Sequence, residues 1–242
     1  MLSRILALLA LFLSINAFAN KLIVQVPQQS VLFEYKNPAR LSQVIQDVKE
    51  NTNSYSDSYF IANQIFDKAQ LDKAIELKES VIKRLSQLEG ENAVLASTLI
   101  KQIENWQVGY RLFIPLDYDE IRIKNNLDPK LSGEYELAFP NRNHFSYIEG
   151  LVEKPSEIDI SDTPSLPDAI NIAQPLAGAD KSFVWLIYPD GHTTKSGYAY
   201  WNNSQTHLPP STVIFVGFDS GSQFIRSLEK DIIKLISMRR SI

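Results

Sequence analysis

Cysteine does not occur anywhere in the 242 residues. Its absence excludes disulfide stapling and lipid anchoring through cysteine. Histidine is almost as scarce, with His144, His192 and His207 alone, and none stands at ligand spacing from another His, Asp or Glu on a helix. Neither a metal site nor any cofactor is therefore expected. Basic residues number 24 against 28 acidic ones, for a net charge of −4. With no strongly basic tract in the interior, the chain lacks the electrostatic footprint of a nucleic-acid binder. Glycine-rich phosphate loops and the G-x-S-x-G nucleophile turn are missing too. Long apolar runs are confined to one place, the N-terminus, so no membrane span is expected in the body.

That N-terminal run begins after Arg4, continues from Ile5 to Leu13 and leads to Ala17 and Ala19. The pattern predicts a secretory leader, residues 1–19, cleaved after Ala19. The mature chain is then expected to be soluble and exported, and its length suits one large domain or two small ones.

What remains alternates between strand and helix signals. "KLIVQVP" and "SVLFEY" read as a strand pair, followed by a helix in "NPARLSQVIQDVKE" with Asn37 as cap and Pro38 in the first turn. From Gln70 to Trp106 the apolar spacing becomes helical on both sides of Gly90, which predicts a helical hairpin inserted between strands. Strand signals return in "YRLFIPLDYDEIRI", "GEYELAFP" and "FSYIEGLVEKP". A short helix is expected around "PDAINIA", a hairpin turning at "PDG" within "SFVWLIYPDGHTTKSGYAYWN", and a last strand at "TVIFVGF". Strand, strand, helix and further strands thus occur twice, an α+β arrangement without a residue-level repeat.

Few residues suggest chemistry. "DSG" at Asp219–Gly221 matches the aspartic-protease triplet, but that chemistry needs two facing copies and one is present, so Asp219 and Ser220 read as helix caps. Asp117, Asp119 and Glu120 cluster between Arg111 and Arg122. Paired acids at suitable separation cleave glycosides, whereas the same cluster also suits a solvated element end with local arginine pairing. Tyr198, Tyr200 and Trp201, placed in a strand, serve either a core or a glycan or partner contact. Arg111 lies in the apolar "YRLFI" and, if buried, needs several acceptors, as a structural tie or as a recognition group.

Several segments taken together resemble the GfcC family of capsule-biosynthesis proteins. They are "YFIANQIFD", "WQVGYRL", "LDYDEIR", "LDPKLSGEYELAFPNR", "YIEGLV", "AGADKSFVWLIYPDG", "AYWN" and "PPSTVIFVGF", in family order. The chain departs from the family's Arg-Pro pair at Arg142 and Asn143, and from its Pro-Gly turn at "PPS". The resemblance implies two β-grasp domains similar to those of the Wza-type polysaccharide exporter. The first would span 20–69 and 107–143, interrupted by the hairpin at 70–106; the second would span 144–219, and an amphipathic helix would occupy 220–242. It further implies a periplasmic, non-enzymatic accessory of capsule or exopolysaccharide assembly, with export-machinery proteins and polysaccharide as partners. The family's recurrent arginine falls on Arg111.

In "FIRSLEKDIIKLISMRR" Phe224, Ile225, Leu228, Ile232, Leu235 and Ile236 form one stripe, with Arg226, Lys230, Lys234 and Arg240 on the other side. Such a helix serves as a clamp on the protein's own core, a partner surface or a peripheral membrane contact. Three functions follow: an accessory protein, a polysaccharide-modifying enzyme using Asp117, Asp119 or Glu120, and a subunit of an export channel.

Overall fold

Alternating burial marks the first strand, β1 (Leu22–Val26): Leu22, Val24 and Val26 are fully buried while Ile23 and Gln25 are half-exposed. That is the pattern of a strand covered on one face. The computed structural model describes residues 21–160, 165–204 and 206–240, so the leader expected at 1–19 lies outside the described residues. After β1 come β2 (Val31–Tyr35), β3 (Ala39–Arg40), α1 (Leu41–Asn51), β4 (Gln64–Asp67) and the helical hairpin α2 (Leu71–Leu85) and α3 (Glu91–Glu104). The first half closes with β5 (Arg111–Leu112), α4 (Tyr118–Ile123), β6 (Lys130–Leu131) and β7 (Gly133–Ala138). The second half contains β8 (Phe145–Gly150), β9 (Ser156–Asp159), α5 (Leu166–Ala173), β10 (Phe183–Ile187), β11 (Thr193–Gly197), β12 (Val213–Val216) and α6 (Gln223–Ser237).

Two five-stranded mixed sheets, a two-stranded antiparallel sheet of β3 and β6, and six α-helices occur among the described residues, an α+β fold as expected. The first sheet runs β2-β1-β7-β4-β5 and the second β9-β8-β12-β10-β11. Counted within each half, both orders place the second strand at one edge, the first beside it, and the last strand parallel to the first. The twofold repeat read in the sequence is therefore a repeat of topology.

Local chemistry explains three departures from expectation. Helix α1 is not capped by Asn37; β3 pairs with β6, and Asp128 accepts hydrogen bonds from the Ser42 N–H and hydroxyl, both at 2.8 Å. A cap 86 residues downstream does the work of a local one. The strand read through "YDEIRI" is instead α4, because Asp117 caps it by accepting from the N–H groups of Asp119 (2.9 Å) and Glu120 (3.4 Å). Tyr198, Tyr200 and Trp201 leave β11 for a turn, pinned where the Asn202 side chain donates to the Ser182 carbonyl at 3.0 Å.

The hairpin is inserted between β4 and β5, neighbouring strands of the first sheet, but it packs elsewhere. Val81, Leu85, Leu95 and Leu99 share one core with Ile148, Phe215 and Leu228 of the second half. Gly90 makes its turn possible at a φ of +61°. The Gln102 amide exchanges two hydrogen bonds with Gly150 at the end of β8, at 2.8 and 3.0 Å. Lys78 of α2 donates to the carbonyls of Glu104 and Trp106, closing the end of α3.

Helix α6 completes that second core. Ile225, Leu228, Ile232, Leu235 and Ile236 are buried, whereas Phe224 stays exposed with the Arg84 guanidinium 5.2 Å above its ring. Arg84 also pairs with Asp231, binding hairpin to helix. At about 1.5–3 kcal/mol per large apolar side chain, the five buried residues account for the helix's docking on its own protein. Among the described residues no helix is long and apolar enough to cross a membrane.

Candidate functional site

Where the two halves meet, a cleft of about 380 Å³ opens beside Arg111. One wall is the 3-10 turn Phe60–Ala62 with Asn63, which leads into β4; another is the extended run from β5 to the cap of α4. Asp190, from the turn between β10 and β11, closes it from the second half. Phe113 packs its ring so tightly on Gly191 of that turn that an added Cβ would approach within 2.4 Å.

Arg111 is only 5% exposed. Its Nη2 donates to the Pro189 carbonyl at 2.6 Å and its Nη1 to the Ser237 carbonyl at 3.2 Å. Burial pulls its pKa down to about 10, against the opposing pull of Asp190. One guanidinium thus joins β5 of the first half to the β10–β11 turn and to the end of α6. Its ring neighbour is Phe113, at 5.4 Å.

Of the acids singled out in the sequence, Asp117 and Glu120 line the cleft with Arg111. Asp117 is engaged as the α4 cap, and Glu120 pairs with Lys124 at 2.9 Å. Asp119 lies outside the lining, in an exposed pair with Arg122 at 3.5 Å. Arg142 is also elsewhere, its guanidinium 5.5 Å from the Tyr59 ring centroid. Asn63 went unnoticed in the sequence. It is 5% exposed, and neither atom of its side-chain amide has a partner among the described residues. A polar amide inside the apolar stretch "FIANQIF" was the signal available.

The aromatic trio divides. Tyr198 is half-buried, donating its hydroxyl to the Asp180 carbonyl at 2.7 Å; burial, reinforced by Asp180 and Asp219, pushes its pKa up to about 12. Tyr200 is fully exposed and Trp201 is 75% exposed, the two side by side on the turn.

Past α6 the basic flank is not free either. Arg239 pairs with Glu149 of β8 at 2.6 Å and lies over Trp106; Arg240, expected on the solvated side, pairs with Glu136 of β7 at 3.3 Å over Phe66. The backbone follows, with Gly109 N–H donating to the Met238 carbonyl and Arg240 N–H to that of Gln107. Among the described residues, no group of three or more His, Cys, Asp or Glu side chains could hold a metal ion.

Comparison with known proteins bears on both halves. A family model described as "Capsule biosynthesis GfcC, N-terminal" matches residues 20–141, and one described as "Capsule biosynthesis GfcC C-terminal" matches 158–240. The chain is similar to a protein of Escherichia coli (strain K12) described as "Uncharacterized protein YjbG". The two are 26% identical over 189 residues, covering 77% of each.

Proposed function

The chain belongs to the GfcC family of capsule biosynthesis proteins, and on that premise we propose that it is a non-enzymatic accessory of capsule or exopolysaccharide assembly and export. The observation that carries this reading is the pair of family matches running in order along both halves. We place the protein in the periplasm on the strength of the leader pattern at residues 1–19. We read both repeats as β-grasp units, which their shared strand order and the helix between the second and third strands of each five-stranded sheet support.

Three features favour an accessory over an enzyme or a channel subunit. Asp117 caps a helix, and Asp119 and Glu120 each pair with a neighbouring cation, so each of the three already has a structural role. The apolar stripe that a pore-forming helix would turn outward is occupied by the second core. The α6 side chains Arg226, Lys230 and Lys234 face water, and Arg226, away from the depression beside Trp185, is left for contact with export-machinery proteins.

A deletion strain scored for surface polysaccharide tests the role: altered amount, chain length or attachment is expected, and an unchanged polysaccharide would sink it. Incubating the purified chain with that polysaccharide should leave its length unchanged. Shortening would assign a hydrolase instead.

A further inference from the structure

Asn63 poses a question that the rest of the fold leaves unanswered. A buried amide with neither its oxygen nor its nitrogen bonded is costly, and native proteins tolerate few such groups. This one lines the cleft at the junction of the halves. Beside it, Phe60, Ile61 and Phe113 present apolar surface to solvent. Amide, carboxylate and exposed ring together are what a sugar needs: hydroxyls bond the polar groups, and the C–H face of the pyranose lies on the aromatic ring.

Charge narrows the class. Three carboxylates, Asp117, Glu120 and Asp190, line the cleft with Arg111, and counting Lys124, which pairs with Glu120 at 2.9 Å, they still outnumber the cations three to two. That guanidinium already donates to Pro189 and Ser237. An anionic sugar would meet net repulsion there, whereas an uncharged one would not.

Shape points to a polymer. Phe113 also walls a second depression, of about 390 Å³, reached across Gly191 and lined by Trp185, Lys230 and Lys234. Each concavity falls in the roughly 300–1,000 Å³ range of small-ligand sites. The indole N–H of Trp185, in the second, likewise has no partner among the described residues. Two concavities sharing one exposed ring suit a chain that passes over Phe113.

We propose that the cleft around Asn63 binds an uncharged sugar unit of a polysaccharide, whose chain continues over Phe113 toward Trp185. The proposal rests on the polysaccharide role above and names its ligand class. Its test is a titration of the isotope-labelled full chain, followed by NMR at the Asn63 side-chain amide and the Phe113 backbone amide. The probes are neutral gluco-, galacto- and manno-hexasaccharides, and the neutral and acidic oligosaccharides released by mild hydrolysis of the producing strain's surface polysaccharide. Saturable shifts at both reporters are expected with a neutral probe, and weaker or none with the acidic fraction.

Phe60→Ser, an exposed position whose loss should not disturb folding, is expected to weaken binding about tenfold with an unchanged melting temperature. No saturable shift with any neutral probe, equal response to the acidic fraction, or shifts confined to Tyr200 and Trp201 would overturn the site. The two levels separate cleanly. A deletion that alters surface polysaccharide while the cleft stays silent removes the site and keeps the role; binding without a deletion phenotype does the reverse.

Discussion

Strands β7 and β12 hold the same place in their sheets, each parallel to the first strand of its half, yet they are covered differently. The β12 sequence is Val-Ile-Phe-Val and every residue is buried, so the second sheet is packed on both faces. β7 begins exposed at Gly133 and Glu134, and its inward Glu136 is half of an ion pair with Arg240. What covers the extra face of the second sheet comes partly from the first half, since the inserted hairpin shares its core. Similar topology therefore does not make two self-sufficient units. The first half lends its insertion to the second, and the second returns Arg240 to β7.

The comparison can be broken most forcefully in the hairpin. Leu99→Ala removes a fully buried side chain and should cost about 2–5 kcal/mol. Although residue 99 lies within the first half of the chain, amide exchange should accelerate in β8 and β12 ahead of β1 and β7. The opposite order would mean that the hairpin supports its own sheet. Next, Arg111→Ala strands the carbonyls of Pro189 and Ser237 and should cost about 1.5–3 kcal/mol in chemical denaturation. Arg111→Lys should recover only part, because an ammonium lacks the fork that reaches both acceptors.

A smaller effect separates the two buried glutamates. Glu229 of α6, unlike Glu136, sits within the second core, where burial raises its pKa despite the N–H of Phe218 at 2.7 Å and the charge of Lys195. The native state then holds this proton to higher pH than the unfolded chain. Its contribution to stability is therefore lost as pH climbs from about 4.5 through the raised value. Melting curves from pH 4 to 8 should show Glu229→Gln gaining on the wild type as pH rises, and parallel curves would refute the cause given. Least of all, Asp119→Asn breaks an exposed pair and should change stability by no more than about 0.5 kcal/mol.

Much of this division was legible in the residues. "LIVQV" alternates and is covered on one face, while "VIFV" runs apolar and is covered on both. The hairpin, the "PDG" turn and the terminal stripe followed from spacing and turn chemistry. What escaped was non-local. Nothing near Leu41 announces that Asp128 will cap α1, and six residues of "YDEIRI" are too few for periodicity to separate helix from strand. Arg111 stood out because a guanidinium among apolar neighbours must be answered. Asn63 did not, because an amide's missing partners become visible only when the surrounding chain is in place.

The seam at residues 238–240 carries a kinetic consequence. A ribosome makes this segment after every element that it fastens, and makes α2 and α3 well before the strands and helix that bury them. Until the second half packs on them the hairpin's leucines stay uncovered, and contacts so distant along the chain form slowly. The first sheet draws most of its partners from nearby in the chain, but its junction with the second half is complete only once Arg239 and Arg240 have paired with Glu149 and Glu136. Complete docking of the two halves is therefore expected as a late step of folding.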